Sequence, residues 1–153
     1  MSLLDGLPDE QLVRAGTIGG GDWSAKDLMG HIAFWEELAL EAIGDWRAAR
    51  RPAAEAIFEQ GVDAANAQDQ ARWAAAPVDE VRARARKAHE SLLKAITELS
   101  DGDWRTKASY PTRRRQTLAV LLGSVLGAPQ RPFGHTFAHL PDLEAYVAAF
   151  KRR

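Results

Sequence analysis

The stretch DWSAKDLMGHIAFWEELALEAIGDW, residues 22–46, decides the fold because it carries a complete signal for a long amphipathic helix. Ser24 can cap this helix, and Asp27 at the third helical position completes a capping-box pattern, with Asp in place of the usual Glu or Gln. Apolar residues then recur at helical spacing on one stripe: Leu28, Ile32, Trp35, Ala39, Ala42, Ile43 and Trp46. The pattern predicts a helix that begins after Ser24 and ends near Ala49.

The rest of the chain also favours helices, because β-branched residues are sparse and no alternating strand pattern is longer than about four residues. Pro52 suits the first position of a helix, and Pro77 would end that helix. We therefore predict an all-α protein with further helices over about 52–75, 78–100, 116–126 and 133–150, and a short one within 8–15. Loops are predicted over 101–115 and 127–132.

Length and composition predict one ordinary domain over residues 1–153 that can build its own core. A net charge of −1 gives no global field that would favour nucleic acid or an anionic membrane. The absence of cysteine excludes disulfides, thiolate metal ligands and a cysteine nucleophile. No signal peptide and no membrane-spanning apolar run is visible, so the expected location is cytoplasmic.

Three histidines fall on surfaces that the apolar pattern predicts to face the core. His31 lies within the stripe of the first long helix, three residues after Leu28. His135 and His139 are four positions apart, so on a regular helix they share one face at about 5–6 Å between Cβ atoms. Pro141 cannot donate a backbone hydrogen bond, so the helix would either kink there, which keeps the shared face, or restart.

Two interpretations of these histidines compete: satisfied core histidines, or ligands of one metal ion. Three inward imidazoles would be a costly concentration of polar groups, and one ion bound by His31, His135 and His139 resolves all three together. Three ligands leave room for water or substrate, as in catalytic rather than structural sites. Asp27 is a candidate second partner for the imidazole of His31, although its role in the capping box competes. His89 lies at the margin of its helix stripe and is interpreted as a boundary histidine outside the site.

The stretch DWSAKDLMGHIAFWEE resembles the first metal-ligand helix of the DinB-like (YfiT-like) four-helix-bundle superfamily. The distal GHTFAHLPDLEAYV is similar to that superfamily's closing motif, in which two histidines four apart complete a three-histidine site. The resemblance thus implies a four-helix bundle with His31, His135 and His139 as ligands of a divalent transition metal, zinc or nickel. The middle stretch, residues 61–104, also resembles the ClbS/DfsB-like branch of the superfamily.

Members of the superfamily usually have a full first helix before the segment that matches LLDGLPDEQ, and here the chain starts almost at that segment. The resemblance therefore implies a bundle with a shortened or missing N-terminal helix. Such a bundle would expose its apolar seam, which soluble monomers rarely tolerate, and this predicts a homodimer.

Three classes of function follow from the sequence and the resemblance. The first is a metal-dependent thiol S-transferase or hydrolase that acts on a small electrophilic molecule, with a low-molecular-weight thiol as a possible second cofactor. The second is a metal-free, ClbS-like protein that sequesters or hydrolyses a reactive metabolite. The third is a non-enzymatic dimeric interaction module. No nucleic-acid motif is present, and the basic run Arg113–Arg115 is interpreted as a solvated cluster or a site for an anionic thiol or carboxylate.

Overall fold

A computed structural model describes residues 2–4, 6–18, 21–112, 116–129 and 131–152, and over these residues the protein is all-helical with no strand. The prediction of an all-α fold is thus confirmed. The elements are a 3-10 turn at Ser2–Leu4 followed by α1 Asp9–Leu12, α2 Ala25–Arg47, α3 Ala53–Gln60, α4 Val62–Trp73, α5 Val78–Thr97, α6 Asp101–Arg105, α7 Leu118–Val125 and α8 His135–Lys151. The run Arg113–Arg115 lies outside the described residues.

Helix α2 is the centre of the bundle, and it begins as the capping pattern predicts. The Ser24 side chain accepts a hydrogen bond from the Asp27 backbone N–H at 3.1 Å, and the Ser24 backbone N–H donates to the Asp27 carboxylate at 2.9 Å. These two bonds satisfy groups that a helix N-terminus otherwise leaves without partners. Packing of α2 against α5 and α7 then buries the stripe from Trp35 to Trp46 in the main core, while Leu28 and Ile32 pack in a second cluster.

The predicted helix over 52–75 is wrong as a single element, because Gly61 divides it into α3 and α4. Gly61 has φ of +100°, a conformation that costs residues with a side chain far more than it costs glycine. The chain can therefore change direction there. Helix α4 consequently packs against α2 as a separate element.

The predicted loop over 101–115 begins with a short helix, α6, which the sequence interpretation missed. Ser100 and Asp103 form a second capping box, with the Ser100 hydroxyl donating to the Asp103 carboxylate at 2.7 Å. This is the same Ser-x-x-Asp pattern that was recognised at Ser24. Here it stabilises only one turn, because no apolar stripe follows.

The last helix was predicted from residue 133 and begins instead at His135, since Phe133 has φ of +56° and lies outside the helix. The helix then runs through Pro141 to Lys151 without a restart. His135 and His139 therefore lie on one continuous helix, one turn apart.

The N-terminal part is shorter than predicted, since the helix expected within 8–15 spans only α1. A groove of about 470 Å³ opens between α2, α5 and α8, with the 3-10 turn at one end. Its apolar lining includes Leu28, Met29, Ile32, Ala85, Leu140 and Leu143. Among the described helices, none has the length and apolar character needed to cross a membrane.

Candidate metal site

The His31 side chain on α2 is partly buried and lies next to two aromatic rings. The Trp23 ring lies 4.7 Å from the imidazole, centroid to centroid, and the Trp35 ring lies at 6.5 Å, both with edge-to-face geometry. Trp35 is one helical turn after His31, so the helix itself fixes this second contact. These rings hold the imidazole in place and limit the access of water to it.

His135 and His139 approach His31 from α8. Their ring centroids lie 4.7 and 5.2 Å from that of His31, and 5.0 Å from each other. The three side chains that the sequence predicted to form one site are thus brought together, although more than a hundred residues separate His31 from His135 in the chain.

One nitrogen from each ring can serve as a ligand, and these three atoms lie within 4.8 Å of one another. Two zinc–nitrogen bonds of about 2.1 Å allow their ligand atoms to be at most about 4.2 Å apart, so only small side-chain movements are needed. Nε2 of His31 and Nε2 of His135 are already 2.8 Å apart. Without a metal, one of these nitrogens must donate a proton to the other; a bound cation would accept both lone pairs instead. The three histidines could therefore hold a metal ion.

The protonation state of the cluster also suits metal binding. Burial lowers the pKa of His31 to about 3, assisted by the nearness of His135 and His139, while a hydrogen bond with the Asn66 side chain acts in the opposite direction. Burial and His139 lower the pKa of His135 to about 4, and burial lowers the pKa of His139. At neutral pH all three rings are uncharged, which is the form that binds a metal.

The two other predicted roles, those of Asp27 and His89, can be compared with the same geometry. Asp27 lines a cavity beside His31, but its Oδ2 accepts hydrogen bonds from the backbone and the hydroxyl of Ser24. Among the described contacts, its partner is thus the helix cap rather than the imidazole. His89 is largely exposed and lies apart from the cluster, with Nδ1 2.9 Å from Oε1 of the buried Glu36.

Helix α4 supplies a residue of this site that sequence reasoning missed. Asn66 lines the same cavity as His31, a space of about 10 Å³ that is close to the size of one water molecule. Trp35 Nε1 donates a hydrogen bond to Asn66 Oδ1 at 3.0 Å. No local pattern marks Asn66, because its importance arises only when α4 folds back on α2.

Polar contacts outside the cluster hold α4 in this position. Lys26 Nζ donates to the backbone carbonyls of Ala74 and Ala76 at 2.7 and 3.0 Å, at the end of α4. The Arg84 guanidinium bridges Asp69 of α4, at 2.9 Å, and Glu37 of α2, at 2.7 Å. Lys26 and Arg84 thus tie the helix that carries Asn66 to α2 and α5.

The histidine cluster and the all-helical fold agree with a comparison of the chain with known protein families. A model of the DinB superfamily matches residues 1–140. No curated protein and no solved structure gives a significant match. Because the family match covers most of the chain, the protein belongs to the DinB superfamily.

Proposed function

We propose that this protein is a metal-dependent enzyme in which His31, His135 and His139 bind one divalent transition metal ion, zinc or nickel. The substrate is a small electrophilic molecule, and the reaction is transfer of a thiol to it or its hydrolysis. The observation that carries this proposal is the convergence of three imidazoles from two helices.

The donor set fits such an ion. Three neutral imidazole nitrogens suit zinc and nickel, and a three-ligand site keeps coordination positions open for water or a thiol. When bound, the ion would lower the pKa of that water or thiol and so supply an anionic nucleophile at neutral pH. Burial of the site keeps the three imidazoles uncharged. The indole rings of Trp23 and Trp35 limit the access of bulk water to His31.

The first test is metal binding by protein purified without a histidine tag. Wild-type protein should take up about one equivalent of zinc or nickel per chain. His139→Ala should lose this binding, because it removes one of the three ligands. His89→Ala is the matched control: it also removes an imidazole, but one that lies away from the cluster, and it should bind like wild type.

Uptake of less than about 0.1 equivalent of either ion by wild type would contradict the metal proposal, since a resident cofactor should load near stoichiometrically. Equal binding by the two variants would contradict the choice of ligands. In the first case, the metal-free protective role implied by the resemblance to the ClbS/DfsB-like branch would be the next hypothesis.

The reaction type is tested with the loaded protein and two probes. An activated aryl halide mixed with a low-molecular-weight thiol reports S-transfer, in which the thiolate attacks carbon and halide leaves. An activated ester without thiol reports hydrolysis. Turnover of either probe by wild type and its loss in His139→Ala would support an enzyme; no turnover of either would contradict both proposed reactions.

We further propose that a second copy of the chain covers the groove between α2, α5 and α8. Its floor is apolar, and its rim carries both signs of charge, with Arg86 and Glu90 of α5 exposed there. A surface of mixed charge can complement itself across a two-fold axis.

Light scattering should give the mass of two chains, and Leu140→Glu in the groove should give monomers. The control Leu93→Glu, exposed on α5 outside the groove lining, should remain dimeric, whereas a wild-type monomer at all concentrations would contradict this proposal.

A further inference from the structure

The orientation of the Asn66 side chain is fixed by its contact with Trp35. The indole nitrogen of tryptophan can only donate a hydrogen bond, so the Asn66 atom at 3.0 Å from Trp35 Nε1 must be the carbonyl oxygen. This removes the usual ambiguity between the oxygen and nitrogen of an asparagine amide. A carbonyl oxygen has two lone pairs, so Oδ1 can accept one more hydrogen bond.

Asn66 is placed to direct this second lone pair at His31. Both side chains line the cavity of about 10 Å³, and the Asn66 side chain acts on the pKa of His31 in the direction expected of a hydrogen bond to the imidazole. Nε2 of His31 is already directed at His135, 2.8 Å away. The nitrogen that remains for Asn66 is therefore Nδ1.

The other polar residues beside His31 have different partners. Asp27 Oδ2 is bound to Ser24, and both carboxylate oxygens of Asp69 accept hydrogen bonds from Arg84, at 2.9 and 3.1 Å. The Gln70 side chain lines the same cavity, and it forms no hydrogen bond with the described residues. Asn66 is thus distinguished by its contacts, and Gln70 provides a matched control.

We propose that Asn66 positions His31 for metal binding: its Oδ1 accepts a hydrogen bond from the Nδ1–H group and so leaves the lone pair of Nε2 facing His135 and His139. A histidine ligand needs this tautomer, because protonated Nε2 cannot coordinate. Asn66 does not touch the reacting atoms and acts only through His31. The inference rests on the proposed metal site, but its first consequence, the tautomer of His31, exists in the metal-free protein.

The test uses Asn66→Leu, which keeps the approximate size but removes the acceptor, and Asn66→Asp, which keeps an acceptor in the same place. Nitrogen NMR of the metal-free proteins reports the tautomer of His31. Wild type and Asn66→Asp should carry the proton on Nδ1, whereas Asn66→Leu should give a mixture. Gln70→Leu should match wild type.

Competition of Co²⁺ with a chelator then measures metal affinity, and the visible spectrum of Co²⁺ reports coordination geometry. Asn66→Leu should weaken binding by about 10–100-fold, the usual effect of removing such a partner, with a changed spectrum. Asn66→Asp should bind within about threefold of wild type or more tightly, because it restores the acceptor. Thermal unfolding of the metal-free variants shows whether each is folded.

An unchanged tautomer in Asn66→Leu, together with an affinity within about twofold of wild type, would overturn the inference. If Asn66→Leu does not fold, Asn66→Asp decides alone: a mixed tautomer or a large loss of affinity there would overturn it equally. If wild type binds no Co²⁺, the proposed function fails, while the NMR comparison still decides whether Asn66 orients His31.

Discussion

Helices α4 and α5 both pack against α2, but they do so by different means. Helix α5 inserts an apolar stripe, with Val78, Val81, Ala85, Ala88 and Leu92 buried. Helix α4 has no buried residue along its whole length. It is attached mainly through the hydrogen bond from Trp35 to Asn66, the Arg84 bridge to Asp69 and the contacts of Lys26 with its C-terminal end. Its apolar contacts are limited to the partly buried Val62 and Trp73 at its two ends.

This difference between α5 and α4 suggests that α5 mainly determines the stability of the bundle, whereas α4 mainly determines the geometry of the site. Apolar burial on α5 is non-directional and supplies most of the free energy of packing. The polar contacts of α4 contribute less, but they are directional and fix where Asn66 lies. We therefore expect changes on α5 to lower global stability and changes around α4 to affect the site and its local order.

The largest effect on stability is expected for Leu92→Ala on α5. Leu92 is buried in the main core, and such truncations typically lower the free energy of unfolding by about 2–5 kcal/mol. Urea denaturation measures this loss. Metal affinity at temperatures where the variant is folded should stay at the wild-type value; a tenfold loss would show that core packing on α5 also sets the site geometry.

The next-largest loss of stability is expected for Arg84→Met, which removes the bridge between α2, α4 and α5. We expect a loss of about 2 kcal/mol in the free energy of unfolding, below the 3–5 kcal/mol of a fully buried pair because Glu37 is partly exposed. Hydrogen exchange should accelerate for the amides of α4 more than for those of α5. Lys87→Met, on an exposed position of α5 outside the groove lining, is the control and should change stability by less than about 0.5 kcal/mol.

The histidine site and the apolar core on α5 should also differ in how they make stability depend on pH in the metal-free protein. Burial lowers the pKa of His31 to about 3 and that of His135 to about 4, so between these values and about 6.5 the unfolded chain binds more protons than the native state. The free energy of unfolding should therefore rise with pH across this window and level off above it. Allowing for partial solvent exposure, we expect about 1 kcal/mol per pH unit from His31.

Urea denaturation at pH 5 and pH 7.5 tests this expectation. His31→Gln should show a smaller difference between the two pH values than wild type, because one of the titrating rings is gone. Leu92→Ala should show the same difference in the free energy of unfolding between the two pH values as wild type, since it lowers stability equally at both pH values. Identical differences in His31→Gln and wild type would mean that His31 does not titrate between the two states as described.

The smallest effect is expected for Lys26→Met, which removes the hydrogen bonds to the carbonyls at the end of α4. A loss of about 1 kcal/mol is expected because the carbonyls can partly rebind water. Exchange of the last amides of α4 should accelerate, and the exposed control Lys87→Met should leave them unchanged. A uniform acceleration over the whole bundle would contradict a local role for Lys26.

The same contrast explains what the sequence could predict. The stripe of α5 and the capping box at Ser24 are local patterns, so the long helices α2 and α5 were located from the sequence. The division at Gly61 was missed because an isolated glycine is compatible with a continuous helix, and the sequence does not reveal its positive φ. Helix α6 was missed because its capping box is not followed by an apolar stripe.

For the site, the motifs carrying His31, His135 and His139 were identified because histidine in an apolar stripe is conspicuous. The structure brings these rings together, but their role as ligands stays a prediction until metal is measured. Asn66 carries no such signal, since an asparagine on a polar helix is ordinary. Only the distance to Trp35 across two helices distinguishes it.

The shared guanidinium of Arg84 has a consequence for how this fold can vary. Because one cation serves both Glu37 and Asp69, the effects of changing these three positions cannot be additive. Loss of either acid leaves the arginine half satisfied, and loss of the arginine leaves two acids facing each other without compensation. We expect evolution to replace the three residues as a group, so that relatives carry the complete trio or an apolar substitute for all of it.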